Sequence, residues 1–206
     1  MGSGIACHLA NVGCDVLLLD IVPKEAEDSE DRSMRNSIVD GALKSAIKSR
    51  PAPLYSKRFA SRIATGNMTD DMHRIKDCDW IIEVVVERLD IKKIVFENVE
   101  KYRSEGTLIT SNTSGIPIHM MLEGRSDDFQ KHFCGTHFFN PPRYLKLLEI
   151  IPTPKTDPEV VDFFMEYGAK ILGKTMVLCK DTPAFIANRV GYMLFRTYFI
   201  RLLKWA

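Results

Sequence analysis

The stretch HFCGTHFFNPPRYLKLLEII, residues 132–151, sets an imidazole and a carboxylate in otherwise apolar text. It reads as two strands joined by the loop NPPRY. Alternate residues of a strand share a face. His137 therefore shares one with Gly135 and Phe139, and Glu149 shares one with Leu145, Leu147 and Ile151. A lone carboxylate on an apolar face is not buried ionised without a partner. Centring the hairpin on Pro142 puts His137 across from Leu147 and makes Glu149 its diagonal same-face neighbour, within reach of longer side chains. The spacing thus predicts a His137–Glu149 pair. A carboxylate in that place orients the imidazole and stabilises the imidazolium, which suits a general base that removes a hydroxyl proton. A structural histidine satisfied by a neighbour is the commoner alternative. His132, Cys134 and His137 make a poor metal set, because the first two share a strand face that His137 does not, and no fourth ligand is evident. No metal is expected.

A second chemical signal opens the chain. MGSGIACHLANVGCDVLLLD reads as a helix, a turn at Gly13 and a strand ending on Asp20. In a βαβ dinucleotide unit, glycines at the helix start let the backbone approach a pyrophosphate, and the helix N-terminus faces it. Gly2 has that place. An acid ending the second strand takes the ribose hydroxyls, and Asp20 stands there. No arginine follows in IVPKE, so NAD is favoured over NADP. Close packing explains such a glycine equally well, and an acid can simply end a strand. SNTSGIP follows the strand GTLITS, placing hydroxyls and an amide at a strand's C-terminal end, where open α/β sheets bind ligands. An ordinary capping turn has the same composition. Asn188, in FIANR, is a helix amide and by itself reads as surface or as a satisfied core group.

The elements that must hold these groups alternate. Strand-length apolar runs occur at 15–20, 60–65, 79–86, 106–111, 132–139, 145–151 and 175–180, with helix-like segments near 3–11, 24–49, 89–103, 117–123 and 157–172. Strands separated by helices predict an α/β fold: a Rossmann-like, doubly wound, mainly parallel sheet with an antiparallel hairpin near its C-terminal end. DTP at 181–183 opens a last helix, with Thr182 as cap and Pro183 in its first turn. Phe185, Ile186, Val190, Met193, Leu194, Phe195, Phe199 and Leu202 make that helix apolar on most sides, which predicts burial. The expected division is 1–182, a NAD-binding domain, and 183–206, the start of a second, helical one.

Bulk properties narrow the class. The 206 residues carry 28 basic and 27 acidic side chains, a net charge of +1, so no electrostatic nucleic-acid binder is expected. The five cysteines lack a C-x-x-C pair and read as free thiols of a reducing compartment. No run approaches the ~18 apolar residues of a membrane helix. A cytoplasmic protein without membrane partners is expected.

Together the pieces resemble one family, the 3-hydroxyacyl-CoA dehydrogenases. The resemblance rests on MGSGIA, the acid-ended VLLLD, DWIIEVVVERLDIKK, SNTSGIPI, GTHFFNPPRYLKLLEII and KDTPAFIANRV, and runs from Met1 to about Val190. It implies oxidation of an L-3-hydroxyacyl-CoA to the 3-ketoacyl-CoA in fatty-acid β-oxidation, with NAD as hydride acceptor. It also implies an acyl-CoA partner and a homodimer for the complete family member. Matched residue by residue, it makes His137 the base and Glu149 its orienting partner. Ser114 bonds the reacting hydroxyl near the nicotinamide, and Asn188 holds the substrate oxygen. Asp20 takes the adenosine ribose, while Glu87, Lys92 and Asn140 line the nicotinamide half.

The chain departs from the family pattern at both ends. The G-x-G-x-M-G turn is represented only by Met1-Gly2, and the helical domain only by its first helix. The expectation is a partial gene product lacking the first, central strand, with reduced or no activity. A non-catalytic fragment acting in folding or association is one alternative. A β-hydroxyacid dehydrogenase acting on a substrate without CoA is another.

Overall fold

The computed structural model describes residues 1–203, with side chains described as far as Phe195. Helix α1 (Gly2–Asn11) leads into β1 (Val16–Asp20), and α2 (Arg32–Arg35) and α3 (Ser37–Lys48) carry the chain to β2 (Ile63–Asn67) and β3 (Trp80–Glu83). Then come α4 (Leu89–Tyr102), β4 (Leu108–Ser111), α5 (Asp127–Lys131), β5 (Phe133–Phe138), β6 (Leu147–Pro152), α6 (Pro158–Lys170), β7 (Thr175–Leu178) and α7 (Ala187–Leu203).

Strands β3-β4-β5-β6-β7 form a five-stranded sheet in that order, and β1 and β2 pair separately. Every pairing is parallel except β5 with β6. Among the described residues no strand joins β1 to β3. The consequence shows in burial: β1 is only half-buried along its whole length and β3 over most of it, whereas β5 is buried throughout. Strands that would be central in a continuous sheet behave here as edges, each with one row of backbone groups unpaired.

Helices cover both faces of the larger sheet. On one side Phe96 meets Phe129 and Phe133 edge to face, and all three pack with Ile109, Ile118 and Ile151. On the other, Phe138, Leu148 and Ile150 meet Ile5 of α1 and Val160 and Phe164 of α6. The strand alternation is legible in this division. Phe133, Gly135 and His137 share the first face, while Cys134, Thr136 and Phe138 share the second. Asp157 caps α6 by accepting the Glu159 N–H, with Pro158 in its first turn. Gly168 lets α6 close on β7: a Cβ there would lie 2.3 Å from the Met176 sulfur.

Several expected elements are displaced. The segment 60–65 is not a strand from its start; Lys57–Arg62 makes a 3-10 turn, pinned where Arg62 lies over the Phe59 ring and donates to Ala10 O at 2.8 Å, and the strand begins at Ile63. The long helix expected over 24–49 breaks into a 3-10 turn, α2 and α3. Asp31 starts α2 by accepting the Ser33 N–H, and Arg35 leaves the helical surface to chelate Asp70. The segment 117–123 is a 3-10 turn over Ile118–Met121, and α5, started by Ser126 accepting the Phe129 N–H, was not anticipated.

The last helix also differs. It starts at Ala187, not at Thr182, because Ala184 and Phe185 adopt φ of 62° and 47° and interrupt the helical path. Phe185 is buried, as expected, but Ile186, Val190, Met193, Leu194 and Phe195 are exposed. Phe199 and Leu202 lie outside the described side chains. Among the described residues no helix is long and apolar enough to cross a membrane.

Candidate active site

His137 and Glu149 stand directly opposite each other in the β5–β6 ladder. The hairpin is centred on Arg143 and not on Pro142, so the pair is direct and not diagonal. The loop is longer than a simple hairpin allows because it folds on itself. The amides of Tyr144 and Leu145 both donate to Pro141 O, and the buried Lys174 ammonium donates to Pro142 O and Leu145 O. The His137 Nδ1–H donates to Glu149 Oε2 at 2.8 Å, and the two side chains are 5% and 1% exposed.

The second carboxylate oxygen of Glu149 accepts the Ile186 and Ala187 N–H groups at 3.1 and 2.8 Å. Burial pushes the Glu149 carboxyl up, but the His137 hydrogen bond and the Ala187 N–H outweigh it and hold it below the usual glutamate range. Beside it, burial and the Glu149 charge push the Cys179 thiol up to about 12. Two rings pack near the imidazole, with centroids 4.4 Å away for Phe139 and 5.8 Å for Phe185. Its Nε2 has no hydrogen-bond partner among the described residues. An imidazole with Nδ1–H fixed on a carboxylate and a bare Nε2 is arranged to receive a proton there.

A second network occupies the C-terminal ends of β3 and β4. The Lys92 ammonium, 1% exposed, donates to both oxygens of the equally buried Glu83 at 2.8 and 3.0 Å. Glu83 also accepts the Val85 N–H at 2.6 Å and the Ser111 hydroxyl at 2.5 Å. On its other side Lys92 lies 3.6 Å from Glu87. Glu87 Oε1 accepts the Thr113 hydroxyl and the Ser114 and Gly115 N–H groups at 2.6, 2.9 and 3.0 Å. Burial pushes the Glu87 carboxyl up, and these donors with the Lys92 charge bring it below its ordinary value. Asn112 closes the gap to the dyad by accepting the Phe138 N–H at 2.9 Å.

One segment, 181–188, touches both networks. Asp181 accepts the Ile118 and His119 N–H groups at 2.6 and 2.8 Å and pairs with the His119 ring. Ala184 N–H reaches Gly115 O, and the Asn188 side chain donates to Ser114 O at 2.9 Å. His137, Glu149, Ser114, Asn188, Glu87 and Lys92 therefore form one bonded assembly at one end of the sheet.

Residues 1–182 match the family profile described as 3-hydroxyacyl-CoA dehydrogenase, NAD binding domain. This chain belongs to the 3-hydroxyacyl-CoA dehydrogenase family. A probable 3-hydroxyacyl-CoA dehydrogenase of Bacillus subtilis is 52% identical over 199 residues, covering 93% of this chain and 25% of that protein. One of Deinococcus radiodurans is 49% identical over 191 residues, covering 93% of this chain and 54% of its own length. The crystal structure of 3-hydroxybutyryl-CoA dehydrogenase from Escherichia coli superposes with a TM-score of 0.70 at 31% identity, over 93% of this chain and 38% of that one. The chain thus spans a quarter to about half of the curated relatives named here.

The 3-hydroxyacyl-CoA dehydrogenase profile names NAD. Asp20 ends β1 with one carboxylate oxygen on the Ile21 N–H at 2.8 Å and the other without a partner among the described residues. The residue after it, Ile21, lines a cleft of about 480 Å³ with Val22, Lys24, Glu27, Arg35 and Met68, among others, and Asp20 itself is not in that lining. Helix α1 starts at Gly2 with no side-chain cap, leaving its first N–H groups available. Asn140 lies across a smaller cleft from Ser3 and Gly4. A carboxylate oxygen without a partner and an uncapped helix start are groups that would suit the ribose and phosphates of a dinucleotide. Lys92 differs from the others: enclosed by Glu83 and Glu87, it presents its charge to protein carboxylates.

The sequence alone assigned no site role to Glu83, Asp181 or Phe185, and pointed to Asn112 only as the amide of SNTSGIP. Glu83 carried the same signal as Glu149, a lone acid in an apolar strand run. Asp181 and Phe185 belong to the text that opens the last helix, and nothing in composition or periodicity marks their part in the site.

Proposed function

We propose that this chain supplies the NAD-binding and proton-accepting part of an L-3-hydroxyacyl-CoA dehydrogenase. The observation that carries the reading is the buried dyad with a bare Nε2. In the forward direction the substrate 3-hydroxyl loses its proton to His137 Nε2. Glu149, ionised and unable to rotate, stabilises the imidazolium that forms. NAD, when bound, would supply the hydride acceptor for carbon 3. Ser114 and Asn188, joined at the Ser114 carbonyl, are the groups proposed to orient the substrate oxygen. Asp20, Gly2, Glu87 and Asn140 are proposed to hold the cofactor, with Lys92 behind Glu87. Enclosure of the dyad by Phe139 and Phe185 keeps water from competing for the proton.

The test is NADH formation from a 3-hydroxyacyl-CoA by the 206-residue chain. His137→Ala should lower turnover by about 10²–10⁴, the usual worth of a general base. Glu149→Gln should lower it less, since Nε2 remains. Unchanged turnover in His137→Ala would overturn the mechanism. A second reading, an association module, draws on the exposed apolar side chains of α7. It predicts concentration-dependent self-association with no turnover.

A further inference from the structure

The family reading assigns no role to Phe185. We propose that Phe185 is a positioning residue for His137, fixed in that role by the left-handed elbow at Ala184 and Phe185. The inference rests on reading His137 as the base.

Three observations converge. Ala184 and Phe185 are the two non-glycine residues with positive φ among the described residues, and they are consecutive. Side-chain-bearing residues adopt such a conformation only where the surroundings dictate it, and they do so most often at functional sites. Second, the elbow delivers a side chain and two amides to one target. The Phe185 ring, 1% exposed, lies 5.8 Å from the imidazole at an interplanar angle of 60°. The next two N–H groups close on Glu149 Oε1. Third, the elbow is anchored from outside the dyad by Ala184 N–H on Gly115 O and by Asp181 on the 118–119 amides.

The physical consequence follows from what an imidazole can do when unconstrained. Rotation about its terminal torsion exchanges Nδ1 for Cδ2 toward Glu149 and turns Nε2 away from the substrate side. The Phe139 and Phe185 rings, both packed against the imidazole, crowd that rotation. An extended or helical elbow would take the ring away and withdraw two of the donors that keep Glu149 ionised. The elbow therefore couples the entrance of α7 to the orientation of the base.

The experiment uses the full chain with Phe185→Leu and Phe185→Met. Both keep apolar bulk and lose the flat ring, and the methionine variant decides if the leucine variant does not fold. In ¹⁵N-labelled protein the His137 Nδ1–H proton should give a slowly exchanging resonance that is lost in both variants, while the β5–β6 backbone amides stay in place. In the turnover assay kcat should fall by about tenfold to a hundredfold, with KM for NAD unchanged. Variants that retain the Nδ1–H signal would overturn the proposal. So would a loss of activity that tracks melting temperature with kcat and KM moving together. Absence of turnover in the unsubstituted chain would instead refute the activity reading, and the Nδ1–H signal would still decide the role of Phe185.

Discussion

Replacing Lys92 with methionine should destabilise the fold far more than its length and apolar stem suggest. The ammonium is 1% exposed and is bound to both oxygens of a carboxylate that is itself 1% exposed. Removing one partner of such a pair leaves a buried charge uncompensated, at a cost of about 3–5 kcal/mol. Glu83 keeps the Val85 N–H and the Ser111 hydroxyl, so the lower figure, about 3 kcal/mol, applies. Whole-domain stability is only about 5–15 kcal/mol. For a chain of this size each kcal/mol moves the melting temperature by about 2–4 °C, giving a fall of about 6–12 °C. The assay is a double-mutant cycle by thermal or denaturant unfolding. Lys92→Met/Glu83→Gln removes both charges and should recover most of the loss, since a neutral, well-packed replacement of a buried pair is close to neutral in stability. A coupling energy below about 0.5 kcal/mol, or a Lys92→Met chain melting within 2 °C or so of the parent, would refute the argument that this pair is dry and mutually dependent.

Two other outcomes follow from single residues. Ala184→Gly should raise stability by about 0.5–1 kcal/mol, because the left-handed conformation costs a side-chain-bearing residue about 1–2 kcal/mol and the glycine's added unfolded-state freedom returns only part of it; a lower melting temperature would show that the elbow has another shape in solution. His8 is buried with its Nδ1 unsatisfied, and burial, followed by the Lys174 charge, lowers its pKa from 6.5 to about 4. The unfolded chain then binds the proton first, so stability should fall as pH drops from about 6.5 to 4, by up to ~3 kcal/mol at 1.36 kcal/mol per unit. Unfolding curves across that range should flatten in His8→Gln, and an equal slope in parent and variant would refute the assignment.

The dyad was legible because β-strand alternation makes a lone acid on an apolar face conspicuous. Its register was not, since the turn within 141–145 depends on backbone carbonyls and on Lys174, a residue from a different strand end. Glu83 could have been found by the reasoning that found Glu149. It was hidden by Glu87 and Lys92, which drew the reading toward a ligand. The alternating elements gave the fold class. The start of α7 was misplaced because the text DTPAF has a good cap and a good first-turn proline. Tertiary contacts to Glu149, His137 and Gly115, which lie far away in sequence, accompany the left-handed turn at Ala184 and Phe185. Arg62, folding back on Phe59 and α1, similarly overrode the β-like pattern of ASRIAT.

The break between β1 and β3 gives the molecule two units of unequal resilience. Side-chain packing and a few side-chain hydrogen bonds, such as those of Arg143 to Ala52 O and Leu54 O, fasten the β1–β2 ribbon to the five-stranded slab, with no ladder of backbone bonds between them. Fluctuations that lift this ribbon should leave the buried β5 and β6 shielded. Deuterium uptake should therefore proceed in two waves: Asp20 and its cleft would be laid open on a faster clock than the imidazole and its carboxylate.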